Sequence, residues 1–553
     1  VTYIIGCVIF FEARAKVQNI TVKVQIRNFK VFVKKKLKQF EFFDRIFFKS
    51  MGIRTKKWNS FVKKIVVMKR IGLLFLCLVV YNQLVAQYTT PGTGVDWTLD
   101  DIAAASPTTL TLSGDTYTLH EDLIIASPDI VRIDTNLTWL IEADLRITVF
   151  GSFLVTGEAV TIRAADSEQP FDGFRFEEFS EILIQNTLLE YGGGLQVLTE
   201  NFTLDNSTVR YQHSGTATGG AIALSRGMPV LTNNNISFND NPAISSAANA
   251  SVSPLISGNH IEANNQTNNN RPQINLGPTR ASDTLRIINN TLIGDRDLMM
   301  AGGIALANLV GGTILAQIEG NTIRDNRYGI TIVGPTQHVI ISHNIIEDND
   351  TQGDPMLGGS GINLNAPTGG QEVWVYENQI RRNLWGVTIQ GPVQANLGDD
   401  FDNPGGNVFA DNGNNGEVVA LYNNGPETIP AQHNCWIEGE EITLEQAEEV
   451  IVHKTDDPSL GEVLYDPVCE LVSVEEFVLN SVRLYPNPVY NQLYYESAVP
   501  LDRLQIFDIH GRRVMDIQPS ATSGLINLEV TSGLYLIQLE YAGSQSIQKI
   551  SVR

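Results

Sequence analysis

Lysine is almost missing from this chain beyond Arg70, where only Lys454 and Lys549 remain. A lysine base or phosphate anchor is therefore excluded between residues 71 and 453. Of 39 Lys+Arg and 61 Asp+Glu, 18 and 3 fall within residues 1–86, leaving 21 basic against 58 acidic groups, a net charge of about −37. Such a surface repels nucleic acid and anionic membranes, so no nucleic-acid partner is expected. Cysteine is scarce, 4 in 553 residues, and only Cys435 and Cys469 lie in the acidic part. Zinc-type ligand spacings, G-x-S-x-G, Walker loops and dinucleotide fingerprints are all missing.

Long apolar runs are also wanting. Met68-Lys69-Arg70, the run Ile71–Tyr81 and Leu84-Val85-Ala86 form a charged, apolar and small-residue series. This describes a secretory signal peptide over 68–86, far short of the ~20 residues of a membrane span. Residues 1–67 are basic and aromatic, and are expected to be upstream sequence that is mistranslated or disordered.

What the chain has in abundance is asparagine in repeating places. N-T-I-R-D-N-R-Y-G-I-T-I at 321–332 returns as N-Q-I-R-R-N-L-W-G-V-T-I at 378–389. The apolar anchors of this unit read as Leu188, Val209, Ile236, Ile261, Leu292, Ile323, Ile346, Ile380 and Phe409. Asn stands two before the anchor at Asn186, Asn234, Asn259, Asn290, Asn321, Asn344, Asn378 and Asn407; Val209 is the exception. A second series, three after the anchor, contains Asn239, Asn264, Asn326, Asn349, Asn383 and Asn412, with Asp295 in one place. Alternating apolar residues predict short strands. Fixed turn chemistry with variable spacing predicts stacked coils about 4.8 Å apart, with anchors forming a buried column and asparagines forming hydrogen-bonded ladders. Gly194, Gly329 and Gly386 are expected where the coil re-enters a strand.

This pattern resembles the right-handed parallel β-helix of the pectin-lyase-like superfamily, which implies an all-β solenoid over 87–470. Repeats would cover about 182–430 and a C-terminal cap 431–470. Thr98 with Asp101, and Thr443 with Gln446, predict short capped helices at the two ends. Cys435 and Cys469 read as one disulfide stapling the cap, or as two buried thiols.

After a linker at 471–481, residues 482–553 read as a small β-sandwich-like domain. Tyr485-Pro486-Asn487-Pro488 sets a turn, Gly511 and Gly533 punctuate hairpins, and Tyr535 lies in S-G-L-Y-L-I-Q-L. The segment resembles the C-terminal sorting domain of type IX secretion cargo of Bacteroidota. The resemblance implies the secretion machinery as a partner, a secreted or outer-membrane-surface location, and membrane association only through anchoring after export.

Chemistry is harder to read. The N-x-D, D-D, G-H-G and R-x-K set of polygalacturonase-like hydrolases is absent, and Asp399-Asp400 alone does not replace it. Asp400, Asp402 and Asp411 approximate a calcium loop, the only cofactor suggested, although Pro404 fills a ligand position. His338 and His343 lack a third partner of metal-ligand type. The outward positions of the repeat leave Arg324, Arg327, Tyr328, Arg381, Arg382 and Trp385 as candidate ligand-facing residues. The reading adopted is a non-catalytic surface or secreted protein that binds polysaccharide, surface glycans or other surface partners. The alternative is a polysaccharide lyase or glycoside hydrolase.

Overall fold

The computed structural model describes residues 87–439, 441–469 and 482–553, apart from 498–499, 509–510, 520, 529 and 542–543. The signal peptide, the segment before it and the linker at 471–481 lie outside the described residues.

Residues 87–452 wind into three long sheets. Sheet I has 14 strands, from Gln87–Thr89 to Ile451–Val452; sheet II has 12, from Asp96–Trp97 to Val393–Asn396; sheet III has 13, from Leu110–Ser113 to Val408–Ala410. Within them every pairing is parallel except that of Leu110–Ser113 with Thr116–Leu119. A full coil runs II, III, I, as in Ile314–Glu319, Thr322–Arg324 and Ile330–Val333. Each side of the triangle is thus one short strand, and the chain is a parallel β-helix.

From residue 206 on, the corner from II to III is built the same way in every coil. One residue takes the left-handed conformation in each of these coils: Asn206, Asn233, Gly258, Asn289, Gly320, His343, Glu377, Gly406 and His433, with φ between 46° and 67°. The next residue is the ladder residue, an asparagine in every case but Ser207. Asn321 is representative: its backbone N–H and Nδ2 both donate to Asn344 Oδ1 at 2.9 Å, and Nδ2 also donates to Ile287 O at 2.9 Å. Asn234, Asn259, Asn290, Asn321, Asn344, Asn378, Asn407 and Asn434 form one chain of such bonds, all buried. A sharp corner would otherwise bury unpaired amides at a cost of about 1–3 kcal/mol each.

The register corrects two expectations, the anchor at Leu188 and the ladder place of Asp295. Leu189, not Leu188, pairs with Val209 and fills the core, while Leu188 is half-buried on the outer face. Val209 remains the exception in residue type, with Ser207 standing in the ladder place, accepting from Thr187 N at 3.1 Å and donating its own N–H to Asn234 Oδ1. Asp295 does not enter the second ladder. Gln273 reaches in instead, accepting from Asn264 Nδ2 and donating to Asn326 Oδ1. The reason is chemical: a carboxylate has no N–H to pass the ladder on, whereas an amide both accepts and donates.

The anchors Val209, Ile236, Ile261, Leu292, Ile323, Ile346, Ile380 and Phe409 pair in unbroken register. Trp436 extends the column, stacked on Phe409 with ring centroids 5.0 Å apart. Gly329 and Gly386 are required by crowding: a Cβ there would stand 2.5 Å from Gly361 O and 2.2 Å from Ala420 O. At the N-terminal end, helix α1 (Leu99–Ala105) has its Thr98–Asp101 capping box and buries Leu99 and Ile102. At the other end, α2 (Leu444–Glu448) is capped by Thr443 and Gln446. Cys435 and Cys469 are disulfide-bonded, with Cα atoms 5.0 Å apart.

Residues 482–553 form a three-stranded and a four-stranded antiparallel sheet around their own core, which includes Val489, Leu493, Leu504, Ile506, Ile537 and Leu539.

Candidate functional site

The corner from III to I carries most of the arginines picked out from the sequence, and the structure gives them other work. Arg324 is half-exposed and bonds Asp325 at 2.5 Å. Arg296 crosses the same ridge to Asp325 and Asp350. Arg382 bonds Asp348 and Glu347 at 2.8 Å, and the Asp348 bonds raise its pKa further above the usual arginine value. Arg381 is nearly covered and holds Glu438 with two nitrogens; that contact keeps the Glu438 carboxyl below its ordinary range.

Arg327 is not ligand-facing but buried, with its guanidinium bonded to Asn270 Oδ1 and Leu357 O. It ties the loop 265–270, which leaves the coil two below its own, to the loop 350–359, which leaves the coil above. Tyr328 lies over Gly302, where a Cβ would meet its ring at 2.2 Å, and burial raises its phenol pKa. Trp385 is half-buried, donates Nε1–H to Pro355 O at 2.9 Å and stacks on Tyr422 at 5.7 Å. Arg327, Tyr328 and Trp385 thus build and brace a wall along one edge of sheet I.

The wall borders a groove. One outward position per strand of sheet I falls into register along ten strands: Arg175, Gln196, Ala223, Ser245, Asn275, Ala305, Thr331, Asn363, Thr388 and Tyr422. Outward residues of a bare sheet are exposed, yet Ala223, Ser245, Ala305, Thr331 and Thr388 are under 9 % exposed. Small side chains sunk between taller neighbours make the floor of a trough. At about 4.8 Å per strand it runs ~43 Å. From Gln196 to Thr388 the floor carries no charge, and its later part is knitted together: Asn363 Nδ2 donates to Thr331 Oγ1 at 2.7 Å, and Thr388 Oγ1 donates to Asn363 Oδ1 at 3.0 Å.

The calcium set is not assembled. Asp400 and Asp402 lie in the corner from II to III and Asp411 in the corner from III to I, so the strand Val408–Ala410 separates them. Asp400 instead pairs with His433 at 2.9 Å. Asp399 organises that loop, accepting N–H bonds from Phe401, Asp402 and Asn403; burial raises its pKa, but these bonds outweigh it and hold the carboxyl at about 2. Among the described residues no group of three or more His, Cys, Asp or Glu could hold a metal ion.

Comparison with known proteins agrees with this architecture. The family described as "Right handed beta helix region" matches residues 201–390, and "Secretion system C-terminal sorting domain" matches residues 483–553. The chain is a right-handed parallel β-helix protein with a type IX sorting tail. No curated protein matches it significantly. A solved structure, the crystal structure of the periplasmic alginate epimerase AlgG, matches at 12% identity over 68% of this chain and 84% of its own, with a TM-score of 0.38. The tail marks the β-helix for export to the cell surface or the extracellular space.

In the tail of this β-helix protein, Tyr485 bonds Glu496 Oε1 at 2.6 Å and stacks on Tyr494. Asn487 clamps the last strand, donating to Lys549 O and accepting from Ser551 N, with Pro486 and Pro488 on either side of it. Gly511 turns with φ 76°, Gly533 opens the strand Gly533–Tyr541, and the buried Tyr535 donates its hydroxyl to Thr531 O at 2.8 Å.

The groove floor was missed in the sequence although a signal for it exists. I-A-L at 222–224, I-N-L at 274–276, I-A-L at 304–306, I-T-I at 330–332, I-N-L at 362–364 and V-T-I at 387–389 each set one small or amide residue between two core residues. The middle residues of these triplets are the floor.

Proposed function

We propose that the groove of sheet I binds an extended, uncharged, hydroxyl-rich polymer, a neutral glycan chain, without cleaving it. The observation that carries this is the in-register floor, neutral from Gln196 to Thr388 on a chain whose acidic part has a net charge near −37. A polyanion would approach such a surface against repulsion, whereas a neutral chain meets none. Amide and hydroxyl groups on a shallow floor suit sugar hydroxyls, and the Trp385–Tyr422 pair at one end offers an aromatic surface of the kind found in ligand clefts. The arginines that could stabilise a developing anion along the ridge, Arg324, Arg381 and Arg382, are each bonded to carboxylates. Export through the type IX tail sets this activity at the cell surface or outside the cell.

A glycan panel scored for both retention and product release tests the reading. Ala305→Trp plants a bulky side chain on the floor without touching the core. The variant should fold, by circular dichroism and thermal melting, and lose at least tenfold in retention of neutral glycans. Undiminished retention by the folded variant, or release of reducing or unsaturated sugar by the wild type, would overturn the proposal.

A further inference from the structure

We infer that the groove contains a subsite for a single anionic substituent, a carboxylate or a half-ester, centred on Arg271, Ser245 and Asn275. The inference rests on the glycan-binding reading of the groove and names a feature of the polymer it takes.

Three donors, Ser245 and Asn275 on the floor and Arg271 beside it, have no side-chain partner among the described residues, in contrast to the knitted floor beyond Thr331. Arg271 opens the strand Arg271–Leu276 of sheet I, is exposed, and bonds no carboxylate, unlike Arg296, Arg324, Arg381 and Arg382. Ser245 is 4 % exposed, and its hydroxyl makes no hydrogen bond with any described residue. Asn275 pairs in register with Ser245, is half-buried, and its side-chain amide is likewise free among the described residues. The Ser245 hydroxyl is therefore free to donate to a ligand lying in the groove.

Glycine supplies the room. Gly219 has φ 94° and no side chain, and the point where a Cβ would stand is 3.6 Å from Ser245 Oγ and 3.9 Å from Arg271 Nη1. At Gly220 the corresponding point is 2.6 Å from Ser245 Oγ. A guanidinium and a hydroxyl therefore converge on space that two glycines keep clear. A guanidinium with nearby neutral donors is the arrangement that recognises a carboxylate or an ester-linked sulfate or phosphate. The neutral floor on both sides, Ala223 and Ala305, limits the site to one charge on an otherwise uncharged chain.

The test uses the full exported chain and the neutral backbone that the panel retains best, made in three forms: unsubstituted, with one uronic acid branch, and with one sulfate ester. The wild type should bind one acidic form at least tenfold more tightly than the unsubstituted one, with the preference shrinking as salt rises. Arg271→Gln should reduce that preference while leaving affinity for the unsubstituted form unchanged, and Ser245→Ala should reduce the preference as well. The two acidic forms separate carboxylate from half-ester recognition. Binding without any acid preference, or a preference that survives Arg271→Gln, overturns the subsite and leaves the groove reading standing. An acidic form bound while every unsubstituted backbone is refused overturns the groove reading and leaves the anion site; refusal of all three overturns both.

Discussion

Replacing Asn321 by alanine should open the β-helix at one corner, and the cost can be worked from the bonds. Asn321 Oδ1 accepts from Asn290 N at 2.9 Å and from Asn290 Nδ2 at 3.0 Å, while its own Nδ2 serves Ile287 O and Asn344 Oδ1 at 2.9 Å. Alanine removes these four, together with the longer bond from Nδ2 to Glu319 O at 3.1 Å, and leaves the buried Asn290 N–H without an acceptor. At a net ~1 kcal/mol for each of about three effective bonds, plus ~1 kcal/mol for the orphaned amide, the loss is about 4 kcal/mol. The chain supplies its own control, because Ser207 holds the same place near the start of the ladder and accepts from Thr187 N. Asn321→Ser should therefore keep the acceptor for Asn290 and lose only about 2 kcal/mol. In a stacked solenoid the damage should stay near the altered coil. Hydrogen exchange of the Asn290 amide should speed up by roughly 10³-fold in the alanine variant and far less in the serine one, at about 1.4 kcal/mol per tenfold. Equal effects of serine and alanine, or an unchanged Asn290 amide in Asn321→Ala, would refute the ladder reasoning.

Two further predictions concern the ends of the solenoid. Asp129 is fully buried and accepts N–H bonds from Gly92, Thr93 and Gly94 at 2.8 Å and from Val95 at 3.1 Å. Burial pushes its pKa up, but these bonds outweigh it and hold the group below its ordinary 3.8. A depressed folded-state value stabilises above the unfolded one, so the contribution is full at pH 5 and is lost as pH falls below about 4. Hydrogen exchange of the 92–95 loop should accelerate over that window in the wild type and be fast throughout in Asp129→Ala; a pH-independent loop in the wild type would contradict this. At the other end, the disulfide closes a separation of 34 residues. Chain entropy assigns such a loop up to about 4 kcal/mol. Reduction, or Cys435→Ser with Cys469→Ser, should loosen residues 431–469 while exchange in 201–390 stays unchanged, and a cap indifferent to reductant would count against the staple.

The segment 321–332 divides what was legible from what was not. Asn321, Ile323, Asn326, Gly329, Ile330 and Ile332 are set by local rules, because strand alternation and turn chemistry act over two to four residues and repeat in every coil. Arg324, Arg327 and Tyr328 were equally visible as outward positions, but their partners lie in other coils. Asp325 beside Arg324, Leu357 over Arg327 and Gly302 under Tyr328 decide that these residues brace a ridge and a wall. Leu188 and Leu189 are two adjacent apolar residues, so alternation alone cannot choose between them; pairing with Val209 does.

The coil, its two asparagine ladders, the capped ends and the export tail can be read from residue order alone. Each is written in short-range patterns that chemistry repeats. Tertiary structure alone decided the groove. Ser245, Asn275, Ala305, Thr331, Asn363 and Thr388 are separated by loops of unequal length, and only strand register sets them in one line. Arg271 and Gly219 are likewise far apart along the chain, and stacking of neighbouring coils is what turns them toward the same space.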